Sequence, residues 1–290
     1  MDVNKKLSFY IWSPHYEPSS GGPVVLHRLN HVLTSLGEDS TIVCPYRKNE
    51  EWLGKRIDMF GATVPIDNNI VAIYPEVIDN NPFKSPIVVR WILNTTGVCG
   101  GNGLYQQGDI IYKYANDYSI PDESMNRGLL TLFNIDDTRK FTNKQKHLPG
   151  TVCHLVRKGA YKNQIHHSDH SLCIDDYGTK GGHDYLRKVF DQYETFISYD
   201  HATFISVQAA LSGCISIIVP QEGLSKEEWA KKDLYHGYGR SYGFDDIEWA
   251  KSTQKQLRNK LEELEELSIL QVKDMVAACY NKFNSNEHLI

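Results

Sequence analysis

The chain has 290 residues, of which 41% are hydrophobic and 23% charged, the balance of an ordinary globular protein. This length allows two domains of about 145 residues each. The formal net charge of −5 argues against general nucleic-acid binding, because that function needs a basic surface. The sequence contains no run of about 18 apolar residues that would span a bilayer.

The first residues and the cysteines indicate a cytoplasmic protein. The opening MDVNKKLSFYIWS lacks the long apolar core of a signal peptide, so we expect none. The six cysteines are scattered and form no C-x-x-C pair, which favours reduced thiols over disulfides or a structural zinc site.

The first half of the chain alternates strand and helix patterns. After the first strand, a loop over residues 14–23 leads into a helix that carries apolar residues on one face and ends at Gly37. This alternation predicts a doubly wound α/β domain. The predicted strands of this half cover residues 7–13, 41–44, 70–74, 87–93, 109–115 and 129–133.

The second half repeats the alternation. Helices are expected over about residues 182–193 and 203–212, and the boundary between the halves within the polar stretch 136–149. The predicted strands are residues 151–156, 171–174, 195–198 and 215–219.

The tail is predicted to form two helices, the first near residues 247–266 and the second around 272–283. We therefore expect domains at residues 1–145 and 146–246. The helices of 247–290 should pack across the junction between them.

Paired glycines, Gly21 and Gly22, precede the first helix. Such glycines let a ligand approach the backbone and leave helix N–H groups free for it, although a plain loop uses them equally well. The pattern is not G-x-G-x-x-G, so a dinucleotide fingerprint is absent.

A basic turn ends the strand in CHLVRKGAYKN. Arg157, Lys158 and Lys162 surround Gly159, and cations at this end of a strand could neutralise a diphosphate leaving group. A solvated basic turn is an equally good interpretation of the same residues.

The stretch TFISYDHATFISVQAALSGCISIIVP reads as strand, polar turn, small-residue helix and buried strand. Such a unit aims a helix N-terminus at the carboxyl edge of a parallel sheet, which favours a phosphate-bearing ligand. A buried β-α-β unit without a ligand remains the alternative.

In these segments, and in GLSKEEWAKK and YGFDDIEWAKST, the chain resembles GT-B-type glycosyltransferases, especially small bacterial and viral polysaccharide enzymes. The resemblance implies two Rossmann-like domains facing each other across a cleft, with the acceptor in the N-terminal half and the donor in the C-terminal half. The donor would be a nucleotide-diphosphate-sugar and the acceptor a glycan or glycolipid. A glycolipid acceptor would bring the protein into peripheral contact with a membrane.

The resemblance also implies roles for the polar residues of the 195–220 stretch. Tyr199 and Thr203 would line the donor site. Asp200 and Gln208 stand where the family has two glutamates in an E-x7-E arrangement. Asp200 could accept a hydrogen bond from a sugar hydroxyl and Gln208 could bind a ribose hydroxyl. The change from glutamate puts a retaining mechanism in doubt.

An inverting route needs a general base near the acceptor hydroxyl. His15 and Glu17, in the loop after the first strand, are the best-placed candidates, because the resemblance turns that loop towards the cleft. A buried structural histidine and a surface glutamate are the alternatives.

We expect no metal cofactor. No Asp-x-Asp motif is present, and His166, His167, His170 and Cys173 match no standard ligand spacing. Two rival functions remain open: a nucleotide-sugar epimerase of the same fold, and a non-catalytic module that binds nucleotides or glycans.

Overall fold

The computed structural model describes residues 5–18, 20–61, 63–132, 138–142 and 147–287, with the side chains of residues 286 and 287 left aside. The chain divides into two compact units. The first contains the described parts of residues 1–134 and 265–290, and the second those of residues 135–264. The predicted boundaries at 145/146 and 246/247 stay a prediction, and the first of them lies partly outside the described residues.

The first unit contains a seven-stranded sheet in the order β3-β2-β1-β4-β5-β6-β7, with every neighbouring pair parallel. This matches the doubly wound order in which the first strand lies inside the sheet. The strands are β1 Ser8–Trp12, β2 Asp39–Cys44, β3 Lys55–Asp58, β4 Ile70–Pro75, β5 Ile87–Ile92, β6 Ile110–Lys113 and β7 Asn126–Leu129.

The central strands of this sheet are largely apolar, which is typical of parallel strands covered on both faces. Every residue of β4 and β5 is buried, as expected of strands between two layers. Helix α1, Gly21–Ser35, packs Leu29 and Leu33 into the same core as Phe9 and Trp91. It ends before Gly37, whose φ of 86° suits glycine after a helix.

The second unit contains a five-stranded sheet in the order β12-β11-β10-β8-β9, also parallel throughout. Its order is the flavodoxin-like variant of the doubly wound sheet. The strands are β8 Leu148–Leu155, β9 Leu172–Cys173, β10 Tyr193–Ser198, β11 Ile215–Ile218 and β12 Arg240–Tyr242. The prediction of α/β structure with two parallel sheets is therefore confirmed.

The remaining helices correct the expected tail. They are α2 His183–Phe190, α3 Ile205–Leu211, α4 Lys226–Lys232, α5 Ile247–Ser252 and α6 Gln254–Glu287. The prediction of a long helix followed by a second near residue 272 is wrong, because the break falls at Thr253 and α6 is continuous for 34 residues. In the described part of the chain, no helix is long and apolar enough to cross a membrane.

Each sheet reverses its strand order beside its first strand. In the first unit β1 lies between β2 and β4, and in the second unit β8 lies between β9 and β10. In open parallel sheets, ligands bind beyond the carboxyl ends of the strands at such a switch point. These two edges are therefore the places to look for a site.

Candidate functional site

The switch point of the second sheet brings two of the sequence-predicted segments together. Leu155 of β8 and Ser198 of β10 are register partners at the carboxyl ends of their strands. Beyond them, the backbone of Gly159 lies so close to Tyr199 that an added Cβ would be 2.2 Å from the Tyr199 carbonyl oxygen. The basic turn after β8 is therefore packed directly on the polar turn after β10.

Arg157 lies at the start of this basic turn in a fixed conformation. The carboxylate of Asp175 accepts the backbone N–H groups of Val156 (2.8 Å) and Arg157 (3.2 Å), and Arg157 has a φ of 37°, which is unusual for a residue with a side chain. Its guanidinium lies 5.8 Å from the ring centroid of Tyr177 and donates a 3.4 Å hydrogen bond to that hydroxyl. An exposed cation is thus held at the carboxyl edge of β8.

The lysines of the turn make the local potential positive. Lys158 is exposed, whereas Lys162 is half-buried and its ammonium donates to the Val219 carbonyl at 2.7 Å. Burial lowers the pKa of Lys162, and the charge of Asp200 opposes that shift. Burial also lowers the pKa of His201, and the charges of Lys162 and Lys158 lower it further. The charge of Asp200 opposes this shift, and the lysine charges of the turn would attract an anion.

Asp200 and Thr203 shape the turn into α3. Asp200 is 5% exposed and its carboxylate accepts the Ala202 N–H at 3.1 Å. The Thr203 hydroxyl accepts the Ile205 N–H at 3.4 Å. The second oxygen of this carboxylate makes no hydrogen bond with any of the described residues, and it could accept one from a ligand hydroxyl.

The side-chain amide of Gln208 is buried and makes no hydrogen bond with the described residues. Its side chain is fully buried on α3, and neither its amide nitrogen nor its amide oxygen has a hydrogen-bond partner among the described residues. Leaving such a group unsatisfied costs about 1–3 kcal/mol. A polar ligand atom that reached this amide would recover part of that free energy.

The side chain of Tyr199 points into the protein. It is fully buried, and its hydroxyl accepts the His166 N–H at 3.1 Å and lies 2.8 Å from Nδ1 of His167. The ring of His167 also stacks on His154, with centroids 3.6 Å apart. These histidines therefore belong to a polar packing cluster. The described residues contain no group of three or more His, Cys, Asp or Glu side chains that could hold a metal ion.

The residues predicted near the acceptor lie in the first unit. His15 and Glu17 follow β1 and are half-buried. The His15 ring centroid lies 6.3 Å from that of Tyr46, and the Glu17 carboxylate lies 3.5 Å from the guanidinium of Arg47. His15 is thus placed among aromatic side chains and Glu17 beside a cation.

Gly21 and Gly22 form the first turn of α1 and do not precede it. The helix has no side-chain cap from Ser20, and a Cβ added at either glycine would meet nothing within 4 Å. Space is therefore open above this helix N-terminus, although the fold itself does not require glycine there.

Asp175 and Tyr177 were not singled out from the sequence. The usable signal was the position of Asp175 directly after the predicted strand 171–174, since carboxylates there share the edge on which the basic turn lies.

No protein-family model and no curated protein matches this chain. Among solved structures, the chain is similar to T4 phage BGT, whose crystal structure contains its UDP-glucose substrate. The TM-score is 0.38 and the identity 10%, over 97% of this chain and 99% of BGT. This likeness is too weak to assign a family or an activity.

Proposed function

We propose that the protein is a glycosyltransferase that moves a sugar from a nucleotide-diphosphate-sugar to a hydroxyl of a glycan or glycolipid. The observation that carries the proposal is the close packing of the basic turn on the polar turn at the switch point of the second sheet. The cations of the basic turn and the carboxylate of Asp200 lie in these two turns, beyond the carboxyl ends of neighbouring parallel strands, which supports a nucleotide site because such sheets bind ligands at that edge.

The chemistry assigned to these groups follows from the bond that breaks. Cleavage of a sugar–phosphate bond develops negative charge on the diphosphate, which Arg157 and Lys158 would stabilise. Lys162 would contribute less directly, because its ammonium already binds the Val219 carbonyl. Asp200 would accept a hydrogen bond from the donor sugar.

The first unit would hold the acceptor. In this proposal His15 accepts the proton of the attacking hydroxyl, as a general base must within hydrogen-bond reach. We favour His15 over Glu17 because the Glu17 carboxylate is already paired with the Arg47 guanidinium, 3.5 Å away.

The experiment is a panel of nucleotide sugars assayed for thermal stabilisation and for slow release of nucleoside diphosphate. We expect at least one donor to raise Tm and to be hydrolysed in the absence of acceptor. Stabilisation without release would instead identify a binding module, and conversion of the donor sugar without release would identify an epimerase. No response to any nucleotide sugar would refute the proposal.

The matched variants are Arg157→Gln and Lys158→Gln, which remove charge from exposed side chains. We expect both to weaken donor binding, and Lys255→Gln on α6 to leave it unchanged. Equal donor binding by all three variants would show that the basic turn is not the diphosphate site.

A further inference from the structure

Two exposed aromatic rings lie at the carboxyl edge of the first sheet. Tyr46 follows β2 and Phe60 follows β3, and these strands are neighbours beside β1. Tyr46 is 75% exposed and Phe60 77% exposed, with ring centroids 6.3 Å apart. We call the Tyr46–Phe60 pair the ring platform, and the ring of His15 lies beside it, with its centroid 6.3 Å from that of Tyr46.

The backbone of Tyr46 is strained in order to hold this position. Its φ of 58° lies in the left-handed region, which is costly for a bulky residue. Observed strain of this kind concentrates at functional sites, where surrounding structure maintains it. A glycine would adopt the same backbone without strain.

The charges around the ring platform are compensated. The Arg47 guanidinium lies 3.5 Å from the Glu17 carboxylate, and the Arg56 guanidinium lies 3.2 Å from the Asp58 carboxylate. Nearby cations that are paired in this way offer little attraction to a polyanion. The ligand that suits this surface is therefore neutral, with an apolar face to stack on a ring.

We propose that the ring platform binds a sugar ring of a neutral glycan. The C–H face of a pyranose is apolar and stacks on an aromatic face, while its hydroxyls remain in water. The identification of that glycan as the acceptor rests on the function proposed above. On that basis the platform would present the acceptor beside His15.

The test is binding of neutral tetrasaccharides of glucose, mannose, galactose or N-acetylglucosamine to the whole protein, measured by saturation-transfer NMR and titration. We expect at least one to bind, and Tyr46→Gly and Phe60→Ala each to weaken it about tenfold. Tyr46→Gly also relieves the backbone strain, so its loss of affinity could not be ascribed to misfolding.

Two control variants should leave the glycan affinity unchanged. Phe60→Tyr keeps the ring and should retain affinity, and so should Leu270→Ala, which shortens an exposed side chain on α6. Unchanged glycan affinity in Tyr46→Gly and Phe60→Ala would overturn the proposal, as would the absence of binding by every tetrasaccharide. Ring-dependent binding of a single-stranded oligonucleotide instead would assign the platform to bases.

A measurement of nucleotide-sugar binding distinguishes failure of the ring-platform proposal from failure of the proposed transferase function. If donors stabilise the wild type and both ring variants equally while no glycan binds, only the platform is refuted. If no donor binds, the transferase function fails regardless of the glycan result.

Discussion

Gly159→Ala would disturb the contact on which the candidate donor site depends. The new Cβ would lie 2.2 Å from the Tyr199 carbonyl oxygen and 2.6 Å from its Cβ, whereas real Cβ contacts essentially never fall under 3.0 Å. The basic turn must therefore move away from β10 by about 1 Å, at an overpacking cost of about 1–3 kcal/mol. A displacement of this size at a binding site should weaken donor affinity by about ten- to a hundredfold.

The assay compares urea unfolding and nucleotide-sugar titration of wild type, Gly159→Ala and Gly61→Ala. Gly61 is the control because a Cβ added there meets nothing within 4 Å. We expect Gly61→Ala to match wild type in both measurements. A Gly159→Ala protein with wild-type stability and donor affinity would refute the reasoning, because the turn would then not be packed as described.

Three further predictions concern stability and cofactors. Arg90 and Asp109 form a 2.8 Å ion pair whose side chains are 0% and 3% exposed. Because Arg90→Met leaves the Asp109 carboxylate buried without its partner, it should lower the free energy of unfolding, measured in urea, by about 3–5 kcal/mol. A loss below about 1 kcal/mol would contradict this prediction. Burial lowers the pKa of His27 to about 4, so between about pH 4 and about pH 6.5 the unfolded chain binds more protons than the folded one. The free energy of unfolding should therefore fall as the pH drops through this window, by on the order of 3 kcal/mol. The variant His27→Gln should show a weaker dependence of that free energy on pH. Because we propose transfer without a metal, EDTA should leave nucleoside diphosphate release unchanged, and loss of release that Mg²⁺ restores would contradict the proposal.

The central strands were predictable because their signal is local. Residues 70–74 form a continuous apolar run and residues 87–93 are apolar apart from Arg90, and β4 and β5 occupy nearly those positions. The edge strand β3, Lys55–Asp58, was missed because its KRID sequence has neither an apolar run nor a fully buried residue. Edge strands are defined by their neighbour, which the sequence does not reveal.

In the second sheet, the edge strand β12 was also not predicted from the sequence. No strand was predicted in the Gly-rich segment YHGYGRSYGF, but residues 240–242 form a buried strand beside β11. Arg240 is buried there against Asp233 and the rings of Trp229 and Tyr235. The polar, Gly-rich composition of this segment gives no strand signal, because the arginine is buried by an ion pair and ring contacts and not by an apolar run. The predicted strand 129–133 was also displaced, since β7 ends at Leu129, and residue 133 lies outside the described residues.

The candidate site was predictable in its location but not in its contacts. Parallel strands align their carboxyl ends, so the turn at Arg157 and the turn at Asp200 were expected on one edge. The sequence could not show that Tyr199 turns its ring inwards, or that Asp175 occupies the backbone N–H groups of Val156 and Arg157. Because these N–H groups are already bound to Asp175, an anion at this turn would be held by the side chains of Arg157 and Lys158.

The most direct measurement is calorimetric titration of UDP, GDP and ADP into the wild type and an Arg157→Gln/Lys158→Gln double variant. The account predicts that at least one nucleoside diphosphate binds the wild type and that the double variant binds it about ten- to thirtyfold more weakly, since exposed charged contacts contribute up to about 1 kcal/mol each. Binding of equal strength to both proteins, or to neither, would contradict the assignment of the second switch point as a nucleotide-sugar site.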